Sequence, residues 1–307
     1  MSYKNPLISV VIPTYNRGHI INRTVKSVLR QTYSNFELII VDDASTDNTD
    51  EIIKEYQDER IKYIKLQENT MGRRPRNLGI NLSNGEFIAF LDSDDEWLPK
   101  KLESQLKYII KSGLPMDSVM CFTGLIMKNG KSETVKKNKS FKTDMDIMDY
   151  ILVGNNKVQT STYMISSTLA KRTLFDSNLR KHQDWDFCIR LRNNQATFLE
   201  MPDHLTIWYL DEDNTRLSKS YNKEDVSLDW LNSKKNDIST QAQLAFKAII
   251  LVDNLVAKNQ KIEAFKVIII AYINKTINIK QFIKALVKII LPPSIQTKLR
   301  SVFAGKV

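Results

Sequence analysis

Phe87-Ile88-Ala89-Phe90-Leu91 runs directly into Asp92-Ser93-Asp94-Asp95-Glu96, and this junction decides how the chain is read. The five apolar residues predict a buried strand. Four carboxylates in the next five positions raise the energy of an empty site by mutual repulsion. A divalent cation that also binds a polyphosphate relieves the repulsion, because hard cations prefer carboxylate oxygens.

Residues 7 to about 127 alternate short apolar runs with amphipathic stretches. Strands are predicted at Ile8–Ile12, Phe36–Val41, Ile61–Leu66, Phe87–Leu91 and Ser118–Met127, and helices at His19–Gln31, Asn48–Tyr56, Pro75–Leu82 and Lys100–Lys111. Pro75 suits a first helical turn, where its missing N–H costs nothing. The alternation implies βαβ units and a mostly parallel sheet. Ligands bind such sheets beyond the carboxyl ends of the strands. Three polar clusters fall there: Pro13–Asn16, Asp42–Asp47 and Asp92–Asp95.

Further on, Asn129-Gly130 is a hairpin signal, and the lysine-rich stretch 128–143 reads as a mobile loop. Trp185–Leu191 reads as helical and Leu205–Leu210 as a strand. Leu244–Val256, Ile262–Ile273 and Ile279–Leu291 read as helices, the last stopped by Pro292-Pro293. The sequence contains no internal repeat, glycine-rich phosphate loop or HExxH-type metal motif.

Composition narrows the class. At 307 residues, with 42% hydrophobic and 26% charged content, the chain suits a large α/β domain with an appendage. Cys121 and Cys188 lack disulfide or metal-ligand patterning and read as core residues of a reducing compartment. Residues 1–6 are polar and Leu7–Ile12 is too short for a secretion signal. No apolar run reaches the ~18 residues of a spanning helix. The expectation is a cytoplasmic or peripheral protein.

The net charge of +10 lies wholly in residues 231–307, which hold 13 Lys+Arg against 3 Asp+Glu, with no acidic residue after Glu263. In 279–291, Phe282, Ile283, Leu286, Ile289 and Ile290 share one helical face, and Lys280, Lys284 and Lys288 share another. Such a helix either packs on the protein with a solvated lysine face or lies on an anionic membrane. A segment rich in Ile and Leu but poor in Arg and aromatics argues against nucleic acid.

Each cluster has two readings. The Pro13–Asn16 turn simply ends a strand, or Tyr15 offers a ring on which a base stacks. The Asp42–Asp47 loop caps the following helix, or Asp42 and Asp43 accept hydrogen bonds from a base or ribose. Arg73, Arg74 and Arg76 are a solvated basic turn, or bring a guanidinium to a phosphate near a helix N-terminus.

The segments ISVVIPTYNR, VDDASTDNTD, RPRNLGINLSNGEFIAFLDSDDEWLPKKLE and HQDWDFCIRL, in that order and spacing, closely resemble the family 2 glycosyltransferases of the GT-A fold. The resemblance covers about residues 7–215. It implies a Rossmann-like catalytic domain over 1–225, with a nucleotide-sugar half to about 127 and an acceptor half from about 128. A basic helical region over 226–307 lies outside it.

By resemblance, Pro13 and Tyr15 line the base pocket and Asp43 binds a uracil-type base with Asp42 in support. Arg76 lies near base and diphosphate, and Asp92 and Asp94 form the DxD motif, with Asp94 the more direct ligand of Mn²⁺ or Mg²⁺. Asp95 faces the donor sugar, and Asp184 is the catalytic base. Ala44, Pro75 and Gln183 stand where the family often has Gly, Ala and Glu. Asp186 is a weaker alternative base that points away from Asp184 on a helix. Arg216, with Asn214 and Ser218, would close over donor phosphates; His182 either contacts the acceptor or diphosphate or is a surface residue, and Trp185 and Trp208 are core aromatics or walls of the acceptor cleft.

The implied activity is inverting transfer from a nucleotide-diphosphate sugar, a UDP-sugar by preference, to a glycan or lipid-linked acceptor in bacterial surface polysaccharide synthesis. One base and one cation suffice for it. A sugar-1-phosphate nucleotidyltransferase would need a glycine-rich basic loop that Ser9–Gly18 lacks. A catalytically inactive sugar-nucleotide scaffold would not require Asp43, Arg76, Asp94 and Asp184 together.

Overall fold

The computed structural model describes residues 5–142, 144–210 and 225–291. The first elements are β1 (Ile8–Thr14), α1 (Ile21–Leu29), β2 (Phe36–Asp42), α2 (Thr49–Lys54), β3 (Ile61–Lys65), α3 (Pro75–Leu82) and β4 (Phe87–Phe90). Then come β5 (Glu96–Trp97), α4 (Lys101–Ser112), β6 (Val119–Asn129), β7 (Ser132–Lys136), α5 (Ile147–Leu152), β8 (Met164–Ser166), α6 (Ser167–Thr173), α7 (Gln183–Asn193) and β9 (Thr197–Tyr209). The last are α8 (Val226–Ser233), α9 (Thr240–Phe246), α10 (Val252–Ala257), α11 (Lys261–Ile273) and α12 (Ile279–Ile290).

The described residues fall into two compact units, one within Met1–Asp144 and Lys157–Asp213, the other within Met145–Asn156 and Asn214–Val307. The second unit therefore takes α5 from the middle of the chain.

The first unit is built on one sheet of order β3-β2-β1-β4-β8-β6-β9-β5, with β7 paired to β6. Strands β3, β2, β1 and β4 are parallel, as the βαβ alternation requires. The other half is mixed: β8 lies antiparallel between β4 and β6, while β6 and β9 run parallel. One sheet face holds Ile8, Val10, Ile12, Leu38, Ile40, Phe87, Ala89 and Leu91, which pack with Ile21, Val25 and Val28 of α1. Those α1 positions recur at helical spacing, so one stripe of the helix is buried.

Helix α3 lies very close to β1. A Cβ added at Gly79 would come within 2.3 Å of Val11 Cγ1, so only a residue without one fits there. That close packing fixes the helix whose first turn carries Arg76. Helix α4 ends at Gly113 in the left-handed conformation (φ 66°), the usual device for stopping a helix.

Two expectations need revision. The stretch 128–143 is not wholly a loop, because Ser132–Lys136 pairs with β6 across the Asn129-Gly130 turn. It is short and carries Glu133 exposed at its edge, features that guard an edge strand against further pairing. On α12, Ala285 and Ile289 are buried and Phe282 and Leu286 pack beside them, but Ile283 and Ile290 are exposed together with Ile279 and Val287. The apolar arc is thus wider than its packing partner covers. Lys288 is not simply solvated, since its Nζ lies 2.6 Å from Asp253 Oδ1. Pro292 and Pro293 lie outside the described residues.

Both cysteines are buried and unbridged, and burial pushes each thiol up to about 12. They are inert core residues.

Candidate active site

The parallel register puts the polar clusters side by side. Thr14 lies opposite Asp42, and the Asp43 N–H donates to the Thr14 carbonyl at 2.8 Å. Leu91 continues the pairing of β4 with β1 by donating to the Val11 carbonyl at 3.1 Å. Residues 13–15, 42–43 and 92–95 therefore emerge at one edge.

Asp42 and Asp43 are both buried, and each organises a loop. Asp42 Oδ1 accepts from the Ser45 N–H at 2.8 Å and the Ser45 hydroxyl at 2.6 Å, while Oδ2 accepts from the Tyr63 hydroxyl at 2.6 Å. Burial, reinforced by that bond to Asp42, pushes the Tyr63 phenol well above its ordinary value. Asp43 Oδ1 accepts from the N–H and hydroxyl of Thr70, at 2.9 and 2.6 Å, and Oδ2 accepts from the Gly72 N–H at 2.7 Å. The pair thus ties the turns after β1, β2 and β3 together. Pro13 is half-buried beside it, and Tyr15 is exposed. Asn16, Ala44 and Met71 take left-handed backbone, with φ of 50°, 65° and 58°. Side chains disfavour that region, and strain of this kind gathers at functional loops.

The acidic stretch is a tight turn closed by the Asp95 N–H on the Asp92 carbonyl at 3.0 Å. Helix α1 grips it from below. Thr24 Oγ1 donates to the carbonyls of Ser93 and Asp95 at 3.0 and 2.8 Å, and Arg23 Nη2 donates to that of Asp94 at 2.8 Å. Asp95 is fully buried, whereas Asp92 and Asp94 are partly exposed.

Arg76 bridges this turn to α7. Its Nη2 lies 2.6 Å from Asp92 Oδ1, and its Nη1 donates to Gln183 Oε1 at 3.2 Å. Gln183 and Asp184 open α7, after His182 in left-handed backbone (φ 61°). Burial raises the Asp184 carboxyl to about 6, and the charge of Asp92 adds to the rise. The Trp185 N–H and the Arg76 guanidinium oppose it. An aspartate held there is a stronger base than usual, yet largely ionised at neutral pH.

Asp186 is fully buried, unlike its neighbour two positions back. The His182 ring stacks on Trp185 with centroids 5.0 Å apart, and burial lowers its pKa to about 3. In the free protein it is neutral at physiological pH. Trp208 is half-buried on β9. Asn214, Arg216 and Ser218 lie outside the described residues.

Among the described residues no three His, Cys, Asp or Glu side chains group closely enough to hold an ion alone. The donor set still suits a hard divalent ion. Asp92 directs Oδ1 at Arg76, so its Oδ2 and the partly exposed Asp94 would be the carboxylates to hold such an ion. Magnesium-type ions are commonly held by one or two carboxylates, with substrate phosphates and water completing the shell.

Sequence reasoning missed the residues that hold these carboxylates: Ser161 and Gln159 on Asp95, Thr70 and Gly72 on Asp43, and Tyr63 on Asp42. All lie far away in sequence and carry no periodic signal.

Comparison with known proteins agrees with this architecture. The family described as Glycosyl transferase family 2 matches residues 9–168. The amylovoran biosynthesis glycosyltransferase AmsB of Erwinia amylovora is 30% identical over 253 residues, which is 80% of this chain and 83% of the relative. The Escherichia coli β-1,3-glucosyltransferase WfgD, named for UDP-Glc and α-D-GlcNAc-diphosphoundecaprenol, is 42% identical over 108 residues, 35% of this chain and 43% of the relative. The crystal structure of Staphylococcus aureus TarS 1–349 in complex with UDP-GlcNAc matches with a TM-score of 0.62 at 20% identity, over 92% of this chain and 80% of that one. This chain belongs to glycosyl transferase family 2 and is a glycosyltransferase of the GT-A fold.

Proposed function

We propose that the chain is an inverting, metal-dependent transferase that moves a sugar from a UDP-sugar to a hydroxyl of a glycan or lipid-linked acceptor in bacterial surface polysaccharide synthesis. The observation that carries this reading is the Arg76 bridge, which joins the acidic turn to the helix bearing Asp184. We read residues 1–225 without α5 as the catalytic domain, with the donor half to about 127 and the acceptor half from about 128, and α5 with α8–α12 as the helical region. Pro13, Tyr15, Asp42 and Asp43 take the base and ribose, Arg76 and Asp92 the diphosphate, and Asp95 lies on the side of the donor sugar. Asp94 and Asp92 hold Mn²⁺ or Mg²⁺, which when bound neutralises the leaving diphosphate as a Lewis acid.

Asp184 takes the proton of the acceptor hydroxyl. The acceptor oxygen forms its bond to the anomeric carbon as the bond from that carbon to the diphosphate oxygen breaks. The electron pair leaves with UDP, and attack opposite the leaving group inverts the centre. The names of WfgD and of the TarS complex support a UDP-linked donor, and that of AmsB supports a polysaccharide product.

No helix among the described residues is long and apolar enough to cross a membrane. We read the protein as cytoplasmic and peripheral, meeting the anionic inner face of the plasma membrane through α11 and α12. Ile262, Phe265, Ile273, Ile279, Ile283, Val287 and Ile290 are exposed on them beside exposed lysines 266, 275, 280 and 284. An apolar stripe flanked by lysines is the pattern of an interfacial helix. Nucleic acid has no place in this reading.

Incubation with radiolabelled UDP-sugars, Mn²⁺ and bacterial membranes tests the activity. Transfer of label to the lipid or glycan fraction, lost in Asp184→Asn, is expected. Absence of transfer from every UDP-sugar, with UDP unbound in calorimetry, overturns the reading.

A further inference from the structure

We propose that Ser161 is a positioning residue for the acidic turn, fixing the backbone amide of Asp92 and the carboxylate of Asp95 through one hydroxyl held rigidly from behind. This rests on the proposed role of the turn in gripping a cation-bound nucleotide.

Ser161 lies in a short 3₁₀ turn, Thr160–Thr162, whose residues are all buried. Its hydroxyl does two things at once. It accepts the Asp92 N–H at 3.0 Å and donates to Asp95 Oδ2 at 2.6 Å. Gln159 Nε2 donates to the same carboxylate oxygen at 3.0 Å. The turn that begins at Asp92 and closes at Asp95 is therefore spanned by one side chain from almost seventy residues away.

The backbone behind Ser161 is held with equal care. Trp97 Nε1 donates to the Ser161 carbonyl at 2.8 Å, Gln105 Nε2 to that of Thr162 at 2.9 Å, and Lys101 Nζ to that of Tyr163 at 3.1 Å. Three consecutive carbonyls are met by three donors from the segment that directly follows the acidic turn. Lys101 is fully buried, lies 3.8 Å above the Trp97 ring, and has a pKa driven well below the ordinary lysine range by burial. Such a side chain is costly to bury, and its carbonyl partner and the ring help to offset the cost.

The arrangement makes physical sense for a cation site. Crowded carboxylates swing apart unless something restrains them, and a site that must gather its ligands on binding loses affinity to that ordering. Helix α1 fixes the backbone of the turn through Thr24 and Arg23. The 159–161 segment restrains the Asp95 carboxylate and the Asp92 amide together. Ser161 touches no reacting atom and acts through these two residues.

The test separates positioning from simple support of the fold. UDP affinity is measured by calorimetry in EDTA and again with Mn²⁺, and the ratio of the two is the readout. Ser161→Ala is expected to leave UDP affinity in EDTA within about twofold and to cut the Mn²⁺-dependent gain about tenfold. Gln159→Met, a less buried change that removes one bond to Asp95, is expected to cut it about threefold, and carries the test alone should Ser161→Ala not fold. Ser9→Ala, which removes a buried hydroxyl bound to Glu37 at the other end of β1, serves as control. It is expected to lower Tm and leave the ratio intact.

A wild-type ratio in the folded variants, whatever their Tm, overturns the inference. A wild-type protein that binds UDP equally with and without Mn²⁺ overturns the metal reading and the inference with it.

Discussion

Arg76 and Asp92 form an ion pair at 2.6 Å, with both side chains largely shielded from water, and the same guanidinium reaches Gln183 at the start of α7. The pair links the acidic turn to the helix that bears Asp184. Burial is the main cause that raises the Asp184 carboxyl, and the pair acts on it in both directions, Asp92 adding to the rise and Arg76 opposing it.

Arg76→Met should therefore change the pH dependence as well as the rate. Activity of the wild type is expected to rise with pH through about 6 as Asp184 ionises. Removing the guanidinium leaves Asp92 uncompensated and shifts that limb to higher pH. A kcat/KM profile with an unmoved limb would detach Arg76 from the base.

Asp184→Asn is expected to cut transfer by ~10²-fold or more, as loss of a general base does. It should also stabilise the protein. Burial raises this carboxyl from 3.8 to about 6 in the folded state, so folding favours the protonated form. That contribution is complete below the unfolded value and is lost as pH rises through about 6, above which ionised Asp184 costs stability. The variant should gain about 1–3 kcal/mol at pH 8 and nothing below pH 3.8. Urea titrations at both pH values check the sign.

Asp94→Asn removes a partly exposed carboxylate of the acidic turn. UDP binding should lose its Mn²⁺ dependence by tenfold or more while binding in EDTA changes little. Unchanged calorimetry with Mn²⁺ would place the cation elsewhere.

Ala44→Gly should stabilise the chain by about 1 kcal/mol, because Ala44 has φ of 65°, a region that costs any residue with a Cβ. The midpoint of denaturant unfolding is the measurement. A loss of stability would mean that the greater entropy of glycine in the unfolded chain outweighs the relieved strain.

Ile283→Glu with Lys284→Glu reverses the chemistry of the exposed α12 stripe without touching its buried side. Flotation with phosphatidylglycerol vesicles should be lost, and flotation with neutral vesicles should be weak throughout. Persistent binding to anionic vesicles by the double variant would put the contact on another surface.

Much of the donor half was legible because its signals are local. Helix α3 begins at Pro75 and ends at Leu82, as its starting proline and periodicity predict. The five strands predicted over residues 7–127 come within two residues of their apolar runs, whereas β9 begins eight residues before the predicted Leu205. Helix α12 shows the limit. Its apolar residues were recognisable, but a helical wheel cannot tell which part of a wide apolar arc meets a partner, and Ile283 and Ile290 face outward. The preference for glycine at position 44 acquired its reason only from the backbone angle.

By itself the sequence determined the βαβ core and the edge where the polar clusters emerge, since each depends on neighbours along the chain, and its resemblance to family 2 glycosyltransferases named the candidate carboxylates. Only the tertiary structure decided what restrains them: Tyr63 on Asp42, Thr70 on Asp43, Ser161 on Asp95, and Arg76 between Asp92 and Gln183. Those partners are separated by up to 107 positions. A hydrogen bond depends on distance in space, and folding alone brings such groups within reach.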